Sequence, residues 1–231
     1  MNKLLTYLWT GLLFSQASFA VNPEQGLYAG ILLGPSWAPA ITLNTSPSFE
    51  LTYQVMGQLG GQVGYRWDKV RTELEFFYNS NPYSDIVYNN VTYTANKSTD
   101  TFFTGQTNLM FAMFNLYYDL LPPANVDSNF APFIGIGAGY GNSQNTLSLT
   151  YNSVQVTPSD LGRSHTSYGG QVIGGLLAFL DDFSYFIIDL RYFTTPNYTQ
   201  NITFLNGSTQ EISYKNQTIS VNLSFNGAIN L

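Results

Sequence analysis

Gln58–Tyr78 reads QLGGQVGYRWDKVRTELEFFY, and its periodicity decides the fold. Taken two residues at a time, the first half puts Leu59, Gly61, Val63, Tyr65 and Trp67 on one face and Gln58, Gly60, Gln62, Gly64 and Arg66 on the other, the alternation of a β-strand. The second half repeats it, with Thr72, Leu74, Phe76 and Tyr78 against Arg71, Glu73, Glu75 and Phe77. Asp68-Lys69 between them has the length of a hairpin turn.

A soluble sheet would turn the apolar face to its core and the polar face to water. Two details favour the inverse arrangement. The polar face mixes Gly and Gln with Arg and Glu of opposite sign, as the inside of a small closed barrel does, and the apolar face ends in Tyr65 and Trp67, as a membrane-interface girdle does.

Residues 1–20, MNKLLTYLWTGLLFSQASFA, carry Lys3, an apolar run Leu4–Phe14 and the small-x-small sequence Ser18-Phe19-Ala20. This is a signal-peptide layout with cleavage after Ala20, its apolar run too short to cross a bilayer as a helix. The domain expected to fold is 21–231. Its longest apolar stretch, Val172–Leu180, is broken by Gly174-Gly175 and stopped by Asp181-Asp182. Insertion into a membrane would therefore use strands, and strands survive in lipid only when closed on themselves, because an open edge leaves backbone groups unpaired.

The chain has no cysteine, so disulfide scaffolds, thiol nucleophiles and thiolate metal sites are excluded. Its residues are 16% aromatic and only 10% charged, and the net charge of −6 lacks the basic footprint of a nucleic-acid partner. An exported chain without bridges fits a bacterial source.

The remaining segments repeat the pattern. Gly26–Trp37 reads as strand one, and 38–53, with Pro39 and Pro47, as the first long loop. The opening hairpin supplies strands two and three. Thr104–Tyr118 is strand four; placing Met110, Ala112, Phe114, Leu116 and Tyr118 outward leaves Asn115 inside. The connection 119–128 holds Pro122-Pro123 and reads as a turn. In Phe130–Tyr140, strand five, Gly135, Gly137, Gly139 and Gly141 form an unbroken row. Glycine weakens a strand, so the row implies close approach of bulky or charged interior side chains from facing strands. Strands six (Ser167–Leu180), seven (Ser184–Phe193, with Asp189 and Arg191 inward) and eight (Thr218–Phe225) complete the set, and the second and third loops, 79–101 and 142–164, each hold a strand-like hairpin, IVYNNVTYT and LSLTYNSVQV. The count predicts an all-β, eight-stranded antiparallel up-and-down transmembrane barrel with short periplasmic turns and four long extracellular loops.

GLYAGILLG, VGYRWDKVRTELEFFY, MFNLYYD and PFIGIGAGYG, in that order, resemble the opacity-type and OmpA-like family of small outer-membrane barrels. The resemblance covers most of 21–231 and implies a Gram-negative outer-membrane address. It also implies contact with outer-membrane lipid and lipopolysaccharide, use of the outer-membrane assembly machinery, and a monomer whose loops meet a host-surface ligand. Members usually end on an aromatic residue of the last strand, which puts the assembly signal at Phe225 here.

Arg66, Arg71, Glu73, Glu75, Asp189 and Arg191 are expected to converge in the lumen as a salt-bridged plug, since eight strands enclose just enough room for side chains. The alternatives are a narrow conduit for ions or hydrophobic solutes and a purely structural envelope protein. His165 and Ser167, the spacing used by the lipid A deacylase of this architecture, lack an acid partner on the same strand, so no enzyme is expected, and no cofactor or metal. The sequons at Asn44, Asn90, Asn96, Asn197, Asn201, Asn206 and Asn216 read as solvated loop composition. Tyr83, Tyr88, Tyr93 and Tyr151 are the candidate loop contacts, exposed aromatics offering large contact area.

Overall fold

The computed structural model describes residues 25–43, 49–88, 91–95, 102–121, 128–151, 154–156, 164–203 and 209–229. Residues 1–20, expected to be a signal peptide, lie outside them. They form fourteen strands and, among the described residues, no helix: β1 (Gly26–Trp37), β2 (Ile41–Leu43), β3 (Phe49–Tyr53), β4 (Met56–Trp67), β5 (Val70–Tyr88), β6 (Val91–Thr94), β7 (Phe102–Asp119), β8 (Phe130–Tyr151), β9 (Val154–Val156), β10 (Ser164–Phe179), β11 (Ser184–Thr194), β12 (Tyr198–Thr203), β13 (Thr209–Tyr214) and β14 (Gln217–Ala228).

The long strands β1, β4, β5, β7, β8, β10, β11 and β14 each pair antiparallel with two others, and following partners in that order leads from β1 back to β1. Trp67 pairs with Val70, so Asp68-Lys69 is the two-residue turn expected, with Asp68 in the left-handed region at φ 48°. At the β10–β11 turn the Asp181 carboxylate accepts hydrogen bonds from the Phe183 N–H (2.8 Å), the Ser184 hydroxyl (2.9 Å) and the Ser184 N–H (2.6 Å). These donors, the Phe183 N–H foremost, hold its carboxyl below the usual carboxylate range.

Side chains sort by parity as the sequence implies. Ile31 (59%), Phe76 (63%) and Ile134 (62%) are exposed, whereas Arg71 (0%), Glu73 (1%) and Arg191 (3%) are buried. Apolar exposure continues through Leu59, Leu74, Phe114, Ile136, Val172, Ile188, Leu190 and Leu223. A band this extensive exceeds what a water-soluble monomer leaves uncovered and suits a lipid-facing wall. Aromatic rings edge it: Trp67, Tyr118, Phe130 and Phe183 near the short turns, Tyr78, Tyr140 and Tyr168 at the opposite end, all exposed. Phe130 and Tyr140 stand ten residues apart on β8, which at about 3.3 Å per residue and a tilt of roughly 40° separates the two girdles by about 25 Å, the height of an outer-membrane apolar band.

The glycine row faces neighbouring β7. A Cβ on Gly135 would collide with the Tyr117 ring, on Gly137 with the Asn115 amide, on Gly139 with the Met113 sulfur and on Gly141 with the Phe111 ring. The crowding side chains come from the adjacent strand, joined at Gly137 by Gln171 of β10 and not by charged groups.

Two features depart from the sequence reading. Residues 38–53 contain β2 and β3, a hairpin that joins the upper part of β5, and β5 and β8 run on without a break past Tyr78 and Tyr140 to the hairpins at their tips. Gly137→Val is expected to lower unfolding stability by about 1–3 kcal/mol, the usual cost of overpacking, measured by urea titration of protein refolded in lipid vesicles; an unchanged midpoint would show that the row is not there to make room.

Candidate functional site

All six charged residues expected in the interior are there and buried, Arg66 and Arg71 among the rings of one aromatic layer and the other four between it and a second. Alternation along β4, β5 and β11 puts them there, because a residue two positions from an inward-facing side chain also faces inward. They form two groups at different depths.

Nearer the short turns, Arg66 and Arg71 lie directly opposite one another across β4 and β5, and both meet Asp119. Arg71 Nε donates to Asp119 Oδ2 at 2.8 Å and Oδ1 at 3.0 Å, while Arg66 Nη2 stands 3.4 Å from Oδ2. The guanidinium planes are held over rings: Arg71 is 4.5 Å from the Tyr117 centroid and 5.1 Å from Phe133, and Arg66 is 4.7 Å from Tyr185 and 5.4 Å from Phe179.

Deeper in, Arg191 reaches Asp189 through Nε (2.7 Å) and Nη2 (3.0 Å) and bonds Glu75 through Nη1. Asn115 donates to Glu75 (2.8 Å) and Glu73 (3.3 Å), and Gln171 donates to Asn115 (2.7 Å). Asn222 donates to Asp189 at 3.0 Å. Glu73 also accepts hydroxyl bonds from Tyr28 and Tyr117, each 3.0 Å. Its bonds thus come from neutral donors, and the buried carboxylates Glu73, Glu75, Asp119 and Asp189 outnumber the guanidinium groups of Arg66, Arg71 and Arg191 by one.

Above this network Phe77, Phe111 and Phe193 pack ring against ring, with centroids 4.8–5.9 Å apart. Phe77 and Phe193 each sit two residues beyond a charged member, Glu75 and Arg191. The three rings therefore roof the charges. Toward the long loops the interior turns polar: Asn79 donates to Ser36 (2.6 Å), Thr107 to Asn145 (2.8 Å), and Asn145 to the Tyr198 hydroxyl (2.9 Å).

Three side chains were missed or misplaced by the sequence reading. Asp119 was assigned to a turn but is the last residue of β7 and fully buried; the period-two series Asn115, Tyr117, Asp119 was the available signal. Tyr28 was not recognised as a carboxylate partner. Tyr83, expected as an exposed loop contact, is 4% exposed. It packs on Tyr53 at 5.4 Å and joins Ile86 and Phe103 in a small core above the girdle, so it supports the surface and does not present it. Tyr93 is half-buried against that core, and the Tyr88 and Tyr151 side chains fall outside the described residues. His165 stacks on Tyr198 at 4.6 Å and, among the described residues, Ser167 Oγ makes no hydrogen bond, so none joins it to His165. Among the described residues no group of His, Cys, Asp and Glu is arranged to hold a metal ion.

Among solved structures, the outer-membrane protein OprG of Pseudomonas aeruginosa matches over 90% of this chain and 99% of its own, with 14% identity and a TM-score of 0.57. The chain has the fold of the small outer-membrane β-barrels. Neisserial surface protein A also matches, over 88% of this chain and 97% of its own, with 13% identity and a TM-score of 0.45; the fold assignment rests on the OprG likeness. No protein-family model matches the chain, and no curated protein sequence matches it.

Removing Asp119 leaves two enclosed guanidinium groups without their carboxylate, and Asp119→Ala is expected to cost about 3–5 kcal/mol, read from urea unfolding in lipid vesicles. A loss below about 1 kcal/mol, the scale of an exposed pair, would show that water reaches this group.

Proposed function

We propose that residues 21–231 form a monomeric eight-stranded transmembrane barrel in the outer membrane of a Gram-negative bacterium. Its lumen is a closed, side-chain-filled strut, and its work is done by the surface it holds outside the cell, which binds a host or other external ligand. The carrying observation is the roofed charge network: Arg191 is spent on Glu75 and Asp189, and Phe77, Phe111 and Phe193 cover that layer. A small solute would have to break those pairs and part those rings to pass.

The projecting sheet supports a surface role. β5, β7 and β8 have 19, 18 and 22 residues, whereas β1, β4, β11 and β14 have 11 or 12. From Tyr140 to the end of β8 the strand rises about 28 Å beyond the girdle at roughly 3.3 Å per residue and the same tilt of roughly 40°. β3 and β6 pair with β5 on this side, and Tyr83, Ile86 and Phe103 give the projection a core of its own. Such a platform keeps its shape without a partner, which lowers the ordering cost of binding. It offers Val91, Thr92, Thr94 and part of Tyr93 to the outside. Lipopolysaccharide meets the apolar wall, and the assembly machinery reads the last strand, where outward-facing Phe225 packs on Phe186 at 5.2 Å.

Shortening the β5–β6 and β12–β13 hairpins is expected to reduce binding of expressing bacteria to host cells or matrix to the vector-control level while the heat-modifiable gel shift of the folded barrel is kept. Steady conductance steps from the unaltered protein in planar bilayers, together with unchanged binding after the deletions, would replace this reading with a conduit.

A further inference from the structure

The interior charges do not balance group by group. Near the short turns Arg66 and Arg71 face the single carboxylate of Asp119, an excess of one positive charge, whereas the deeper group sets Glu73, Glu75 and Asp189 against Arg191 alone, an excess of two negative charges. Together they leave one negative charge over, enclosed beneath the three phenylalanines. An uncompensated ion in such surroundings is costly, and the usual relief is neutralisation by a proton.

Four carboxylates could hold that proton, and their partners single out one. Asp119 takes two bonds from Arg71, Asp189 takes two from Arg191 and one from Asn222, and Glu75 takes one from Arg191 and one from Asn115. Each of these three is held as an anion by a guanidinium group. Glu73 has no such partner. Among the described residues no ion pair reaches it, and Arg71, two residues away on the same face of β5, gives its Nε to Asp119 while its Nη1 and Nη2 make no hydrogen bond. What Glu73 has is the Tyr28 hydroxyl on Oε2 and the Tyr117 hydroxyl on Oε1, each at 3.0 Å, and the Asn115 amide at 3.3 Å. A phenol hydroxyl can donate to a carboxylate or accept from a carboxylic acid, so the same two rings serve the neutral form as well as the charged one. The Asn115 amide nitrogen also donates to Glu75, which gathers two carboxyl groups about one atom and disfavours the state in which both are ionised.

We propose that the lumen holds one proton at neutral pH and that Glu73 carries it as an uncharged carboxylic acid. The deeper group then has one negative charge against the one positive charge by the turns, and the interior is neutral as a whole. The titratable and charged groups about Glu73 are Tyr28 on β1, Arg71 and Glu75 on β5, Tyr117 on β7, and Tyr185 and Arg191 on β11.

The test uses the full barrel, residues 21–231, folded in an ester-free detergent at neutral pH and read by infrared spectroscopy. The wild type is expected to show the carbonyl stretch of one protonated carboxylic acid, shifted when the protein is refolded in heavy water and absent from Glu73→Gln. Tyr117→Phe, which removes a bond to that carboxyl, should move the band without abolishing it, so the assignment stands whether or not Glu73→Gln folds. In urea unfolding Glu73→Gln, a neutral mimic, should keep the wild-type midpoint or raise it, whereas Glu75→Gln, which weakens the hold on Arg191, should lower it. No protonated-carboxyl band in the wild type, or a band that Glu73→Gln and Tyr117→Phe both leave unchanged, would overturn the proposal. So would a Glu73→Gln midpoint lowered as far as that of Glu75→Gln. The group lies below the phenylalanine roof, so none of these readouts depends on what the outer surface binds.

Discussion

A charge enclosed by a lipid-facing wall has to find its counter-charge inside that wall. Neither bulk water nor a neighbouring domain can supply it, and an isolated ion in such a medium is prohibitively costly. Every other feature of the interior follows from this constraint. Arg191 lies between Glu75 and Asp189, Arg71 is bonded through Nε to both oxygens of Asp119, and Asn115, Asn222 and Gln171 supply the neutral bonds that complete the layer. The glycines of β8 then follow in turn, since the β7 side chains that serve or flank this network need the space a Cβ would take.

The same constraint explains why polar residues are stacked in layers. An aromatic layer containing Tyr117, Phe133, Phe179 and Tyr185 surrounds Arg66 and Arg71, the carboxylate-rich layer follows, and three phenylalanines close it from the polar mouth above. Rings shield charges from water while accepting guanidinium groups on their faces. Buried pairs of this sort add little net stability compared with apolar packing. What they provide here is a filled interior whose members cannot be removed one at a time, a rigid stem for the sheet that projects beyond it.

The transmembrane part was readable from the residues because its two faces meet opposite environments. Along Val70–Tyr78 and Ser184–Phe193 the alternation of lipid-facing and enclosed residues is unbroken, and both strands came out with the right side chains inward. Asp119 escaped because the prolines at 122 and 123 drew the turn forward over it. The middle stretches of β5 and β8 above the girdle, between the barrel and the hairpins at their tips, escaped for a different reason. Above the girdle both faces of the sheet are largely polar, so Asn142, Ser143, Gln144, Asn145 and Thr146 carry no period-two signal even though they are strand, and the buried Tyr83 looked like any loop tyrosine. No sequence pattern announced that Arg66 would meet Asp119 only at 3.4 Å while lying over the Tyr185 ring, since that depends on where three strands meet in space.

The account rests on which way alternate residues of β5 face, and the absence of native cysteine makes that measurable one site at a time. Nitroxide labels placed singly at Leu74, Phe76, Phe77 and Asn79 of protein refolded in vesicles would be read by power saturation with oxygen and with a water-soluble nickel complex. The account predicts strong oxygen collisions for labels at Leu74 and Phe76 and protection from oxygen at Phe77 and Asn79. Labels at Leu74 and Phe76 that are reached by the nickel complex and not by oxygen would place the apolar wall in water and contradict it.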